Sequence, residues 1–469
     1  MPFLGTTGGG SVKQYGGQAN LGYFIKNSLR LRSANSAYLN RTSGTPTSQN
    51  IYTISFWVKR GKLGATQEIL GAGTVATDAG RMDFLFNSDD TITIAGGLTV
   101  FRKTNAVFRD PSAWYHVVLS VSLSGTVNLY VNNVAQTFGT SNTWTTSAWN
   151  SASTVHRFGY DGSGGYFDGY LTEINFIDGQ ALTPSSFGKT DAATGQWIPK
   201  KFAGTYGTNG FYLKFSDTSG ITAATIGKDS SGSGNNWTPS GISITAGSTY
   251  DAMIDSPTLS GAASNYAVLN PLDKGTNATS TDGNLNFSMG GSNNYEGIRA
   301  TIGISSSGKW YWEATYSGLG YISAIGIATA SVGINGTTAT STRTLGTGSW
   351  FNTNNSGVVQ YNTDVNTTSG INWSGASQPS SNDVYMVALD MDSGKMWIGK
   401  NGTWFNSSGT ANPATGTDPR WSSLTGFTWF PYSTEGSTSV ITKSFNFGQR
   451  PFSYPPPTDF KSLNTYNLP

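Results

Sequence analysis

Two stretches constrain the fold more than any others: Trp114 to Val134 (WYHVVLSVSLSGTVNLYVNNV) and Val384 to Phe405 (VYMVALDMDSGKMWIGKNGTWF). In each, an apolar run meets a short Gly-containing polar turn, a run rich in β-branched and aromatic residues follows, and Asn-Asn or Asn-Gly ends it. Each reads as strand, hairpin and strand closed by a second tight turn. Asn401-Gly402 is the sharper signal, because a two-residue type I′ turn needs positive φ at both central positions, which Asn and Gly adopt most cheaply. The first run of each hairpin is apolar on both faces: Val117, Leu119 and Val121 alternate with His116, Val118 and Ser120, and Met386 and Ala388 with Val387 and Leu389. Such strands belong inside a sandwich. Two β-sandwiches, each with one hairpin near its centre, are the simplest inference.

A chain of 469 residues exceeds what one hydrophobic core serves, which agrees with two domains. With 60 Gly, 13% aromatic and 12% charged residues, its surface is built from Ser, Thr and Asn, and the recurrence of aromatics at strand spacing separates it from disordered low-complexity sequence. The net charge of +2 is dispersed, leaving no stripe for nucleic acid. The absence of Cys excludes disulfides and thiolate metal sites. No segment approaches the roughly 18 apolar residues of a membrane span, and MPFLGTTGGGSVKQ lacks the features of a signal peptide.

Residues 1–27 are Gly-rich and read either as a linker or as an arm ordered against another subunit through Phe3, Leu4, Tyr23, Phe24 and Ile25. From Ser28 the motifs SLRL…AYL, YTISFWVKRG, WYHVVLSV…GTVNLYVNN and FDGYLTEINFIDGQALTPSSF follow in order. This series resembles the LamG-like, concanavalin A-like jelly roll over about residues 28–190, which implies two antiparallel sheets packed face to face. Many relatives read G-x-I-D-E in the last motif. Here Thr172 precedes Glu173, so no Ca²⁺ site is carried over, and no metal or cofactor is expected.

Boundaries of 28–217 for the jelly roll and 218–264 for an irregular linker follow, the latter from loop chemistry such as GKDSSGSGNNWTPSG. GKWYWEATYSG, AIGIA, the second hairpin and FNFGQRPF then resemble the SPRY domain over 265–452. SPRY modules bind partners through loops at one end of the sandwich. The tail 453–469 holds Pro455-Pro456-Pro457 between aromatic anchors, and is expected to lie against the surface without forming a strand.

Retaining glycosidases on this fold need two carboxylates about 5 Å apart. None of Glu68, Glu173, Glu296, Glu313 and Glu435 has an acidic residue at alternate spacing on a strand, and Asp390 and Asp392 enter a hairpin turn where Asp is ordinary turn chemistry. His116 and His156 are the only histidines, and neither lies near a nucleophile motif. The chain therefore reads as a non-enzyme. The remaining functional signal is aromatic side chains in loop-like text, on which sugar rings could stack: Trp144, Trp149, Trp350, Phe351, Tyr361 and Trp373.

A LamG-like domain followed by a SPRY-like one, without Cys or an export signal, resembles virion structural proteins of tailed bacteriophages. The resemblance implies a tail fibre or appendage adhesin attaching to host surface glycans, made in the bacterial cytoplasm, homo-oligomeric and held to other virion proteins by the N-terminal arm. A capsid decoration or connecting protein without a ligand is the alternative. A polysaccharide depolymerase and a secreted bacterial lectin follow.

Overall fold

A computed structural model describes residues 23–469 except 74–79, 98, 146, 290–295, 306, 319–322, 336–347, 354–358, 364–368, 371–378, 406–408 and 436–439; the strands within 348–370 are described by backbone alone. The protein is all-β. The first sandwich packs two eight-stranded antiparallel sheets face to face. One has Ile51–Arg60 between Tyr115–Ser122 and Gly169–Asp178, the other Gln67–Ala72 between Met82–Phe86 and Val155–Phe158. The second sandwich pairs a seven-stranded sheet, containing Ser323–Ala328 and Phe430–Glu435, with an eight-stranded one built on Lys309–Tyr316 and Val384–Asp390.

Both hairpins form as their turn chemistry predicts. Tyr115–Ser122 pairs with Val127–Val131, which pairs with Val134–Ala135 across Asn132 (φ 48°) and Asn133 (φ 66°). Val384–Asp390, Lys395–Lys400 and Thr403–Trp404 repeat this across Asn401 (φ 51°) and Gly402 (φ 85°). Their two-sided apolar pattern has one physical cause. Val117, Leu119 and Val121 enter the first core, while Val118 meets Ile177 and Phe187 beneath a strap that includes Leu182, Phe202 and Tyr206. Likewise Tyr385, Val387 and Leu389 enter the second core, and Met386 and Ala388 pack with Tyr311, Trp397 and Phe460 beneath Phe452 and Tyr454. A segment from the C-terminal side of each sandwich covers the outer face of its hairpin strand.

That cover corrects the expectation for the tail. Lys461–Ser462 adds a short parallel strand beside Trp310–Tyr311, and Leu463 is fully buried. The Glu313 carboxylate accepts from the Ser453 and Tyr454 amides, a link that sequence spacing cannot show. Residues 218–264, expected as an irregular linker, are likewise part of the first sandwich. Thr238–Ser240 pairs with Tyr38–Asn40, Ala252–Met253 pairs with Ser28–Leu29, and Ile226, Trp237 and Ile242 join the first core. Strands of two or three residues are too short to leave a periodic pattern.

The two sandwiches meet through buried polar groups. The turn at Asp282, Gly283 and Asn284, all at positive φ, docks on the first sandwich. Buried Asp168 accepts the amides of Asp282 (3.1 Å) and Gly283 (2.6 Å), and the Tyr170 hydroxyl donates to the Gly283 carbonyl at 2.7 Å. Lys59 Nζ, paired with Asp255 in its own sandwich, crosses the same boundary to Asn265 and the Tyr266 carbonyl. A Cβ on Gly283 would come within 2.6 Å of the Tyr170 hydroxyl. Gly283→Ala is therefore expected to cost about 1–3 kcal/mol and to lower the melting temperature. An unchanged melting curve would show that this contact does not hold the two sandwiches together.

Candidate functional site

The aromatics singled out from the sequence do not form one surface. Trp149 is fully buried and Trp144 is 5% exposed; Trp144 stacks on Phe101, and Trp149 tilts against Phe84. These two are core residues and offer no free ring face to a sugar, because Asn/Ser/Thr-rich text around a Trp also describes a loop folded inward. Trp350, Phe351 and Tyr361 lie in antiparallel strands, with Phe351 opposite Tyr361, instead of in loops. Their side chains lie outside the described residues, as does all of Trp373.

What the fold does assemble is a tyrosine platform on the outer face of the first sandwich. Tyr38 alternates with core Leu39 and so points outward. Tyr160 and Tyr166 flank the loop YDGSGGY, which Asp161 shapes: its Oδ1 accepts the amides of Ser163, Gly164 and Gly165 at 2.6, 2.8 and 3.0 Å. Burial raises the Asp161 carboxyl, but these bonds outweigh it and hold the group below its ordinary value. Gly71 lets the loop approach, since a Cβ there would meet the Tyr160 carbonyl at 2.8 Å. The Tyr160 and Tyr166 rings consequently stack at 4.3 Å and 4°, and Tyr38 lies 5.1 Å from Tyr160. All three are partly exposed. Arg157 sits 5.9 Å above the Tyr160 ring while donating to the Gly73 carbonyl, and Arg81 is paired with Asp83. The rim is polar, with Arg81 ion-paired and Arg157 hydrogen-bonded to a backbone carbonyl, which suits hydroxylated ligands that stack on rings. The paired tyrosines of YDGSGGY were visible in the sequence, whereas nothing there placed Tyr38 beside them.

A second cluster lies on the other sheet. Glu173 sits at a bulge in Gly169–Asp178, where the register shifts between Thr172 and Asn175, and adopts φ 51°. Its buried carboxylate accepts from the Tyr23 and Tyr212 hydroxyls. Lys201 and Lys214 lie near enough to offset part of its charge. Tyr23 is thus held by its own chain, as is Ile25, which is 1% exposed and whose carbonyl accepts from Thr258. The expectation that both grip a neighbouring subunit is corrected accordingly; Phe24 is 42% exposed, and Phe3 and Leu4 lie outside the described residues.

Burial raises Glu173 from 4.5 to about 7, against the lowering effect of both tyrosine hydroxyls. The folded protein therefore binds this proton more tightly than the unfolded chain, so the contribution is greatest below pH 4.5 and is lost as pH rises to about 7. The loss amounts to about 3 kcal/mol. Denaturant melts from pH 4 to 8 should show a shallower decline with rising pH for Glu173→Gln than for wild type. Parallel curves would refute the assignment.

His116 Nδ1 accepts from the Trp197 indole N–H at 2.9 Å, and Nε2 lies 3.0 Å from Ser55 Oγ. An indole can only donate, so the neutral ring carries its proton on Nε2 and donates to Ser55. A general base for that hydroxyl would need the opposite tautomer. Burial lowers His116 to about 3, keeping it neutral. Asp390 Oδ1 accepts the amides of Asp392 and Ser393, which is turn chemistry. Among the described residues, no three His, Asp or Glu side chains converge to hold a metal ion, and no helix is long and apolar enough to cross a membrane.

Residues 33–187 match the family profile Laminin_G_3, described as the concanavalin A-like lectin/glucanases superfamily. No curated protein sequence matches. Among solved structures, the chain is similar to a candidate carbohydrate binding protein from Bacteroides ovatus ATCC 8483, at 16% identity and TM-score 0.34 over 46% of this chain. It spans 58% of that protein's length. The SPRY domain of human HERC1 is similar at 16% identity and TM-score 0.27, over 38% of this chain and 96% of that one. A pentraxin from Limulus polyphemus is similar at 17% and 0.27, over 34% and 78%. Such values carry nothing about ligands. The profile match lies within the first sandwich, at residues 33–187, and agrees with the concanavalin A-like fold described above.

Proposed function

We propose that this chain is a carbohydrate-binding structural protein of a bacteriophage particle, in a tail fibre or similar appendage, that attaches to glycans on the host surface without cleaving them. The observation that carries the binding reading is the platform of Tyr38, Tyr160 and Tyr166 on a concanavalin A-like sandwich. The engagement of Asp390 and Asp392 in a turn and the tautomer of His116 support binding over hydrolysis. The virion setting is supported by the order of a LamG-like stretch and a SPRY-like stretch, and by a Cys-free, weakly charged composition that folds in a reducing cytoplasm. Oligomerisation, with residues 1–22 as the link to other virion proteins, belongs to the same reading.

Replacing Tyr160 and Tyr166 together by Ala should reduce binding to host polysaccharide by roughly five- to 100-fold, since ring stacking contributes about 0.5–1.5 kcal/mol per ring. The melting temperature should stay within a few degrees, as partly exposed substitutions usually cost under about 1 kcal/mol. Trp149→Ala should instead cost about 3–5 kcal/mol, as expected for a buried Trp. Binding unaffected by the double tyrosine substitution would remove this platform as the glycan site. No binding by the wild type at all would favour a connecting protein without a ligand, and release of reducing ends would favour a depolymerase.

A further inference from the structure

Lys59 is the penultimate residue of strand Ile51–Arg60 in the first sandwich, and its side chain is fully buried. Its Nζ donates to Asp255 Oδ2, Asn265 Oδ1 and the Tyr266 carbonyl, at 2.8, 2.8 and 2.9 Å. Asp255 is also fully buried, and its other oxygen accepts from the Trp114 indole (3.0 Å) and the Tyr266 amide (3.3 Å). The Tyr170 ring lies 5.8 Å from Nζ. Asn265 is held from its far end, where Nδ2 donates to the Ser112 carbonyl at 2.8 Å. An amine, a carboxamide and a carboxyl group thus converge beside the Trp114 and Tyr170 rings, with Lys59 and Asp255 fully buried and Asn265 partly so. The other fully buried lysine described, Lys443, is different: its Nζ meets Glu435, the Ser433 hydroxyl and two carbonyls.

We propose that Lys59 and Asn265 form an intramolecular isopeptide bond, with Asp255 as the proton carrier. A nitrogen hydrogen-bonded to a carboxamide oxygen lies within roughly 4 Å of the carboxamide carbon, near the separation of about 3–3.5 Å at which attack is productive. Asp255 takes one proton from the Lys59 ammonium, and the freed amine attacks Asn265 Cγ. Asp255 returns that proton to Nδ2, the Cγ–Nδ2 bond breaks and ammonia leaves. The second proton shed by Nζ remains on Asp255. No oxidant or external reactant is consumed. Burial favours the neutral forms of both groups, lowering Lys59 and raising Asp255, in the direction that the transfer requires. The bond would join positions 206 residues apart and tie the first sandwich to the first residues of the second, so a pulling force would bypass the chain between them.

Mass spectrometry of the purified full-length chain under denaturing conditions tests this directly. After allowance for N-terminal processing, the intact mass should be lower than the sequence mass by one ammonia, about 17 Da. Fragmentation after proteolysis should then find the peptide holding Lys59 linked to the one holding Asn265. Lys59→Arg and Asn265→Ala should each restore the full mass, and Asp255→Ala should slow or abolish the loss. A wild-type mass equal to that of the sequence overturns the proposal and makes the cluster an ordinary buried ion pair. So does ammonia loss without the linked peptides, which would signify succinimide formation. Both readouts use the wild-type chain, so they stand even where a variant fails to fold.

Discussion

The junction between the sandwiches depends on placing ionisable groups where water cannot reach them. Lys59 and Asp255 are both completely buried, and so are Arg30 and Asp251, which pair at 3.0 Å two strands away. An isolated buried charge is so costly that it persists only when every hydrogen-bonding position is filled. Most of them are filled here: Asp251 takes Arg30 and Arg32 together and the Ser243 amide, while Arg30 also donates to the carbonyls of Ser248, Tyr250 and Asp282. Removing one partner leaves the other uncompensated, at a cost of about 3–5 kcal/mol. The geometry between the sandwiches is therefore specified far more sharply than an apolar contact of similar size would specify it.

This explains why the segment from 218 to 264 has such polar text. Asp251 and Asp255 are the counter-charges of strands Ser28–Leu31 and Ile51–Arg60, and the segment's few apolar residues complete the first core. A chain passing between two bodies without touching them would have no use for Trp237 at 1% exposure. Each sandwich borrows its finish from residues beyond its last long strand: Leu182 to Tyr206 for the first, Phe452 to Leu463 for the second. Strands that are apolar on both faces need such covers. The covers in turn keep the middle of each sheet dry enough to hold groups such as His116 and Glu313 without a free water path.

The binding reading and the architecture are separable. The platform of Tyr38, Tyr160 and Tyr166 stands on the sheet opposite the one that carries the Lys59 junction, so a ligand there need not disturb the buried ion pairs. Glu173 occupies yet another position, where a bulge turns a side chain to the outer face of the sheet and lets it hold Tyr23. Bulges commonly re-aim side chains in this way.

The hairpins at 115–135 and 384–404 were legible in the sequence because their information is local: a period of two, with Asn-Asn and Asn-Gly supplying positive φ. The motif order of the first sandwich and its all-β class were legible for the same reason. Whether an aromatic faces solvent or core is not local. Trp144 and Trp149 sit in text as polar as that around Tyr160 and Tyr166, yet one pair is buried and the other is partly exposed. The partners of Lys59 lie about two hundred residues away in the chain, and no spacing rule connects them. Short-range backbone preference determined the strands and turns, whereas burial and charge pairing, which exist only once distant segments are packed, decided where the chain can bind and how its two halves are joined.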